Sequence, residues 1–129
     1  KVLAGTFNGV KGPVENIQAD PGYFDVEMPA NAELVIPAAP DHTVFAYLYE
    51  GAAMSGENGT DQLRAGEGAI FGPGDRLLVK TGNSGARFIL IAGKPIGEPV
   101  AWHGPIVMNT DEEINTAFRE LKNGTFLKP

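Results

Sequence analysis

The chain has 129 residues, of which 43% are hydrophobic and 20% are charged, values typical of one globular domain with a real core. It contains no cysteine, which excludes disulfides, thiolate ligands and a cysteine nucleophile, and which is compatible with the cytoplasmic location that we expect. The net charge of −6, with Lys and Arg scattered singly, argues against direct binding of nucleic acid or of an anionic membrane surface.

Frequent glycine and proline, with short apolar runs between them, predict many strands and turns. The chain lacks an initiator Met and begins inside the apolar segment KVLAGTF, so we expect a fragment or a processed product. The Asn8-Gly9 pair predicts a tight turn after this first strand, and a second turn is expected at 57–59. Further strands are predicted at 23–28, 32–38, 43–51 and 86–96, with three or four short ones over 60–82.

The strands over 43–50 and 86–92 are apolar on both faces. One face is expected to fill the core of a barrel or sandwich. The other face needs a cover, for which three candidates remain open: the C-terminal helix, a neighbouring sheet or a missing domain.

The last segment changes to a helical period. Thr110 and Glu113 form a capping-box pattern, and apolar residues then recur at the spacing i, i+3, i+4, i+7, at Ile114, Ala117, Phe118 and Leu121. We therefore predict a helix over about 111–123, which Gly124 ends. The residues alone thus predict an all-β sandwich or barrel with one C-terminal helix.

His42 lies just before an aromatic-rich strand, and cupin barrels have metal ligands at that position. His42 is therefore a candidate metal ligand. The metal-bearing motif reads His-x-His, three or four residues, Glu, six residues, Gly. Counting back from Gly51, we assign the Glu position of the motif to Val44 and its second His position to His42. The first His position falls on Pro40. A second motif should bring a His after Gly74, where the chain reads DRLLV. One ligand of four remains, and a single imidazole holds a divalent ion poorly.

We therefore favour structural roles over catalytic or metal-binding roles for the polar residues. We expect His42 to be a loop residue that hydrogen-bonds to backbone, with Asp41 pointing elsewhere, and His103 to lie at a rim beside Trp102. The sequence contains no G-x-S-x-G elbow, no phosphate-binding glycine motif and no specific nucleophile pattern. We predict no catalytic, cofactor-binding or metal-binding residue in this chain.

The segment GKPIGEPVAWHGPIVMNTDEEINTAFRELKNGTF, residues 93–126, resembles the closing segment of the pirin family. The resemblance extends upstream to YLYEG, ARFILIAG and NGVKGPV, and so covers essentially the whole chain. It implies a cupin or jelly-roll-type β-barrel of two antiparallel sheets with one C-terminal helix, as a single domain over 1–129. Pirins have two such domains, and iron or another divalent metal is expected only in the N-terminal one, which this chain lacks.

Three functions follow from the residues and the resemblance. The first is a structural and interaction half that covers a metal-bearing N-terminal barrel, or that pairs with a second copy through the same apolar face. The second is part of a metal-dependent, quercetinase-like dioxygenase to which this half gives no metal ligands, so that the chain alone has no turnover. The third is a hollow barrel that binds a small molecule, with His42, Tyr47 and Trp102 at the pocket mouth.

Overall fold

The structure, a computed structural model, describes residues 1–56 and 59–127. It is mostly β-structure with one helix, as the sequence predicts. The strands of the main sheet are β1 (Val2–Ala4), β4 (Gly22–Met28), β5 (Glu33–Pro37), β6 (Thr43–Ser55), β7 (Asp61–Arg64), β8 (Gly68–Phe71) and β9 (Arg76–Gly93). Two small antiparallel pairs add β2 (Thr6–Phe7), β3 (Val10–Lys11), β10 (Ala101–His103) and β11 (Ile106–Met108).

The main sheet is antiparallel and has two sections that share β6 and β9. Sheet A consists of β1, β4, the second half of β9, the first half of β6, and β8. Sheet B consists of β5, the first half of β9, the second half of β6, and β7. This two-section arrangement of antiparallel strands is the jelly-roll type of barrel.

The inward residues of both sheets form one core. Val44, Ala46 and Leu48 of β6 alternate with exposed or half-buried neighbours, as expected of a strand with one face inside. Phe88 and Leu90 of β9 are almost completely buried against them. The apolar runs recognised in the sequence therefore supply the core with one of their two faces.

Strands β6 and β9 are longer than the sequence predicts, with 13 and 18 residues. The pairing of β6 with β9 shifts register between Leu48 and Glu50 and again between Gly51 and Ala53. Such β-bulges bend a strand without ending it, so one strand passes from sheet A to sheet B where the sequence suggests a break. The opposite error occurs at Gly5, whose φ of +77° divides the first predicted strand into β1 and β2.

The turn predicted at Asn8-Gly9 is confirmed, because both residues have positive φ, 47° and 79°, and they connect β2 to β3. Glu57 and Asn58 of the second predicted turn lie outside the described residues.

Residues 1–95 and 96–129 form two compact units. The single domain over 1–129 stays a prediction. In the second unit the helix α1 (Asp111–Asn123) packs Ile114 and Ala117 against Ile106. Its capping box is complete, with Glu113 N donating to Thr110 Oγ1 at 3.2 Å and Thr110 N donating to Glu113 Oε2 at 2.9 Å. In the described part of the chain, no helix is long and apolar enough to cross a membrane.

Candidate functional site

His42 lies in a turn before β6 and not within a ligand cluster. Its backbone N–H donates to Ala39 O at 3.0 Å, and its side chain is only 10% exposed. Its Nε2 lies 3.8 Å from Asp20 Oδ2 and 3.9 Å from Asp41 Oδ1, distances that suit an ion pair when the imidazole is protonated. The loop position expected of His42 is confirmed, but the hydrogen bond to Ala39 is made by its main chain, and the described contacts of its imidazole are the two carboxylates.

The expected orientation of Asp41 is wrong. It was placed on an extended strand, where adjacent side chains point to opposite faces. Because residues 40–42 form a turn instead, the carboxylate lies beside the imidazole. Asp41 also pairs with Lys94, whose Nζ lies 3.4 Å from Asp41 Oδ2, so this carboxylate already has a cation.

The number of residues between His42 and Val44 also differs from that of the metal-binding motif. A single residue lies between His42 and Val44, whereas the metal motif has three or four between its second His and its Glu. Val44 itself is buried in the apolar core. In the place of the second motif, Leu77 and Val79 point into the same core. Across residues 1–56 and 59–127, no three His, Asp or Glu side chains come together in a group that suits a metal ion.

The interior between the two sheets is filled by side chains. The described cavity there measures about 10 Å³, about the size of one water molecule. Its lining is apolar apart from Ser55, whose hydroxyl lies 3.5 Å from Asp61 O. Such an interior leaves no room for an organic ligand, which needs hundreds of Å³.

The residues that line that cavity include neither His42 nor Tyr47, two of the three residues predicted at a pocket mouth. Tyr47 is 42% exposed and lies on the face of β6 opposite to the buried Ala46 and Leu48. Trp102 belongs to the second unit, where its Nε1 donates to Gly104 O at 2.6 Å. The mouth assignment of His42, Tyr47 and Trp102 stays a prediction, and no cavity in the described interior supports it.

His103 and Glu113 have structural partners within the second unit. The His103 ring meets the Phe118 ring edge-on, with centroids 5.1 Å apart. Glu113 completes the capping box. A groove of about 300 Å³ runs along the helix; it is lined by Met108, Glu112, Glu113, Thr116, Ala117, Glu120 and Phe126.

The most distinctive surface of the first unit is the outer face of sheet A, which we call the outer apolar face. It consists of Tyr23, Phe45, Tyr47, Ile70, Ile89 and Ile91. Four of these stand directly opposite one another on adjacent strands, in the order Tyr23, Ile91, Phe45, Ile70. Tyr23, Ile91 and Ile70 are 39%, 40% and 75% exposed. Large apolar side chains in a continuous row, unlike single exposed ones, mark an interaction site.

A polar cluster borders this face. The Tyr49 hydroxyl donates to Asp25 Oδ1 at 2.7 Å, and the Arg87 guanidinium lies 5.5 Å from the centre of the Tyr49 ring. Arg87 Nη1 donates to Glu50 Oε2 at 3.4 Å, and Arg87 Nε lies 3.9 Å from Glu27 Oε2. Among the described side chains, Arg87 Nε is a buried donor without a hydrogen-bond acceptor. The sequence analysis missed this cluster, because its members are distant in sequence and meet only through the pairing of β4, β9 and β6.

The Tyr49–Asp25 hydrogen bond controls the titration of both partners. It lowers the pKa of Asp25 from its usual value of 3.8, with help from the charge of Lys1. The same bond raises the pKa of Tyr49 above its usual value of 10.0. Interaction with Tyr49, and then with Glu27, raises the pKa of Arg87. The three shifts favour an ionised Asp25, a neutral Tyr49 hydroxyl and a charged Arg87.

Comparison with known proteins relates this fold to a family. A family model described as the pirin C-terminal cupin domain matches residues 23–127. A pirin-like protein of Caulobacter vibrioides is 39% identical over 127 residues, which are 98% of this chain and 45% of that protein. Human pirin is 35% identical over 128 residues, which cover 95% of this chain and 44% of that protein. The crystal structure of a quercetin 2,3-dioxygenase from Acinetobacter baumannii superposes with a TM-score of 0.86 at 26% identity, covering 97% of this chain and 42% of that one.

The chain spans about half the length of the curated relatives that it matches. The matching region is the one described as C-terminal. The cupin-type sheets, the long tail motif and the family match agree, and this chain belongs to the pirin family, of which it represents the C-terminal cupin domain.

Proposed function

We propose that this chain is a metal-free C-terminal cupin domain that supports a metal-bearing N-terminal barrel in a pirin-like protein. One observation carries the proposal: where a metal-bearing cupin has its ligands, the described chain has core aliphatic residues and one isolated His42. Borderline divalent metals need three or four nitrogen or oxygen ligands at about 2.0–2.2 Å. His42 has carboxylates at nearly twice that distance, and one of them pairs with Lys94. The residues present therefore do not fit the metal of the family.

A supporting role gives the outer apolar face a purpose. Solvent-exposed rows of large apolar residues are unfavourable in a free domain, and they become favourable when a partner removes them from water. The relatives carry about as much chain again as the part matched here. The N-terminal cupin domain of the same protein is therefore the partner that we propose, in the cytoplasm and without direct contact to nucleic acid.

A second function concerns the intact parent. The relative of known structure from Acinetobacter baumannii is described as a quercetin 2,3-dioxygenase. If the parent of this chain catalyses such an oxygenation, the metal and its ligands belong to the N-terminal half. The isolated chain should then show no flavonol turnover with Fe(II), Mn(II) or Zn(II) present.

The supporting role is testable with a fusion protein. The N-terminal half of the Caulobacter vibrioides relative would be produced alone and fused to this chain in place of its own C-terminal half. We expect the fusion to retain bound metal through gel filtration, and the N-terminal half alone to lose metal or to aggregate. Equal metal retention and equal melting temperature in both proteins would contradict a supporting role.

A further inference from the structure

We propose that the outer apolar face of sheet A is the surface against which the N-terminal domain packs, with the Tyr49–Arg87 cluster as its polar border. This inference rests on the proposed function and adds to it the surface, its residues and its orientation. The first unit has two broad outer faces, those of sheets A and B, and their chemistry differs.

The outer side of sheet A presents a flat apolar strip. Tyr23, Ile91, Phe45 and Ile70 stand side by side on four adjacent strands. With neighbouring strands about 4.8 Å apart, the strip is about 14 Å wide. The Phe45 ring lies over Gly68 of β8, where an added Cβ would come within 3.0 Å of the ring. The glycine thus leaves room for the Phe45 ring beside β8.

The outer side of sheet B carries several polar and charged side chains. Lys80 and Glu33 stand opposite each other there, and their charged atoms are 2.8 Å apart. Gln62 and Met54 form the next opposed pair. Val35, which is 48% exposed, stands opposite the apolar Leu78 on this side. The next row across the sheet, Glu33, Lys80, Met54 and Gln62, is mostly charged or polar, so the apolar pair does not extend into a continuous strip. Between the two broad faces, sheet A is the one that gains from a cover.

The polar cluster has the chemistry of an interface border. Tyrosine and arginine are enriched among the residues that dominate binding energy. Tyr49 reaches across β9 to Asp25, and Arg87 lies against its ring, so both side chains are held in place before any partner arrives. Ordering them in advance reduces the entropy lost on docking.

The position of β1 favours the N-terminal domain over other occupants. β1 is the edge strand of sheet A, next to β4 and therefore next to Tyr23. The matched region is described as C-terminal and is less than half of the relative's length, so a preceding domain would enter this chain through β1, beside the outer apolar face. A short covalent connection gives such a domain a millimolar effective concentration, far above that of a second copy in solution.

Hydroxyl-radical labelling read by mass spectrometry tests the proposal on the isolated chain and on the fusion described above. We expect oxidation of Tyr23 and Tyr47 to fall several-fold in the fusion, because the N-terminal domain covers them. Met54 on the outer side of sheet B is the internal control, and its oxidation should not change. The labelling reports docking whether or not the fusion holds metal.

Matched variants check the surface itself. Ile70→Lys places a charge on the most exposed residue of the strip, and we expect it to restore labelling of Tyr23 and Tyr47 in the fusion. Val35→Lys places the same charge on the outer side of sheet B and should leave the protection intact. Both sites are exposed, so both variants should fold.

Each outcome decides one of the two proposals. Tyr23 and Tyr47 that stay labelled in a fusion that holds its metal would overturn the docking surface and leave the supporting role standing. Protection in the isolated chain that rises with concentration, together with a dimer mass, would show a second copy as the occupant and would also overturn the inference. Protected tyrosines in a fusion that loses its metal would instead contradict the supporting role.

Discussion

At the scale of single residues, the Tyr49–Asp25 hydrogen bond is the contact with the clearest electrostatic consequence. The pH dependence of its contribution to stability follows from the pKa shifts of Asp25 and Tyr49. Because folding lowers the pKa of Asp25, the contribution to stability is complete above the unfolded value of about 3.9 and is lost as pH falls through the lowered value. Because folding raises the pKa of Tyr49, the contribution is complete below its unfolded value of about 10 and is lost as pH rises through the raised value.

We therefore predict that Tyr49→Phe raises the pKa of Asp25 toward its usual value, as measured by NMR titration of the Asp25 carboxyl carbon. The melting temperature of the variant should fall below that of the native chain near neutral pH, and the difference should shrink at strongly acidic and strongly alkaline pH. Tyr47→Phe, on the same strand face, is the control and should leave the Asp25 titration unchanged. An Asp25 pKa that does not move in Tyr49→Phe would contradict the assignment.

Gly51 is the residue on which the bend of β6 depends. Its φ is +78°, and a Cβ at this position would overlap Gly85 O. No side-chain rotation relieves that overlap, because the opposing atom belongs to the backbone.

We predict that Gly51→Ala lowers the free energy of unfolding by more than about 2 kcal/mol in urea titrations. The matched variant is Gly66→Ala, which also has positive φ, +91°, but meets nothing within 4 Å. Its cost should be the left-handed conformation alone, about 1 kcal/mol. Equal losses in the two variants would show that the overlap with Gly85 does not matter.

At the scale of elements, the helix is the part of the fold that the sequence predicts best. Its start and end depend on Thr110, Glu113 and Gly124, whose interactions are local, so spacing alone identifies them. The lengths of β6 and β9 depend instead on pairing between distant segments. Gly82 and Gly85 indicate a turn when considered alone, but in the structure they lie within a continuous strand. Local composition could not show this, because the bulges exist only when β6 and β9 are paired.

The same distinction separates the two candidate sites. The weakness of His42 as a ligand is visible in the sequence, since the absent companions can be counted. The Asp25–Tyr49–Arg87 cluster is not visible, because it requires the strand order β4, β9, β6. The alternation of apolar and polar residues could show that these side chains point outward from their strands. Without the strand order, it could not show that they contact one another.

The capping box gives a prediction for the helix itself. Thr110→Ala removes the acceptor of Glu113 N–H, and we expect a loss of about 1 kcal/mol of local stability. Amide hydrogen exchange at Ile114 to Phe118 should become about fivefold faster, while the amides of β9 stay unchanged. Thr116→Ala, inside the same helix, is the control and should not speed exchange. Unchanged exchange in Thr110→Ala would mean that the cap contributes nothing.

At the scale of the whole molecule, the chain combines a filled cupin interior with one apolar outer face. The filled interior supports our proposal that no metal or organic ligand binds between the sheets. The apolar outer face gives the chain a surface for a partner. Together these properties favour a domain that acts by packing against another domain, in a family whose matched members are about twice as long as this chain.

The most direct test of this account is the metal content of the purified chain. After incubation with Fe(II), Mn(II) or Zn(II) and removal of excess ions, elemental analysis should find a stoichiometry near zero, and His42→Ala should give the same value. A stoichiometry of about one metal ion per chain, lost in His42→Ala, would contradict the account, because it would require His42 to anchor a metal site in this domain.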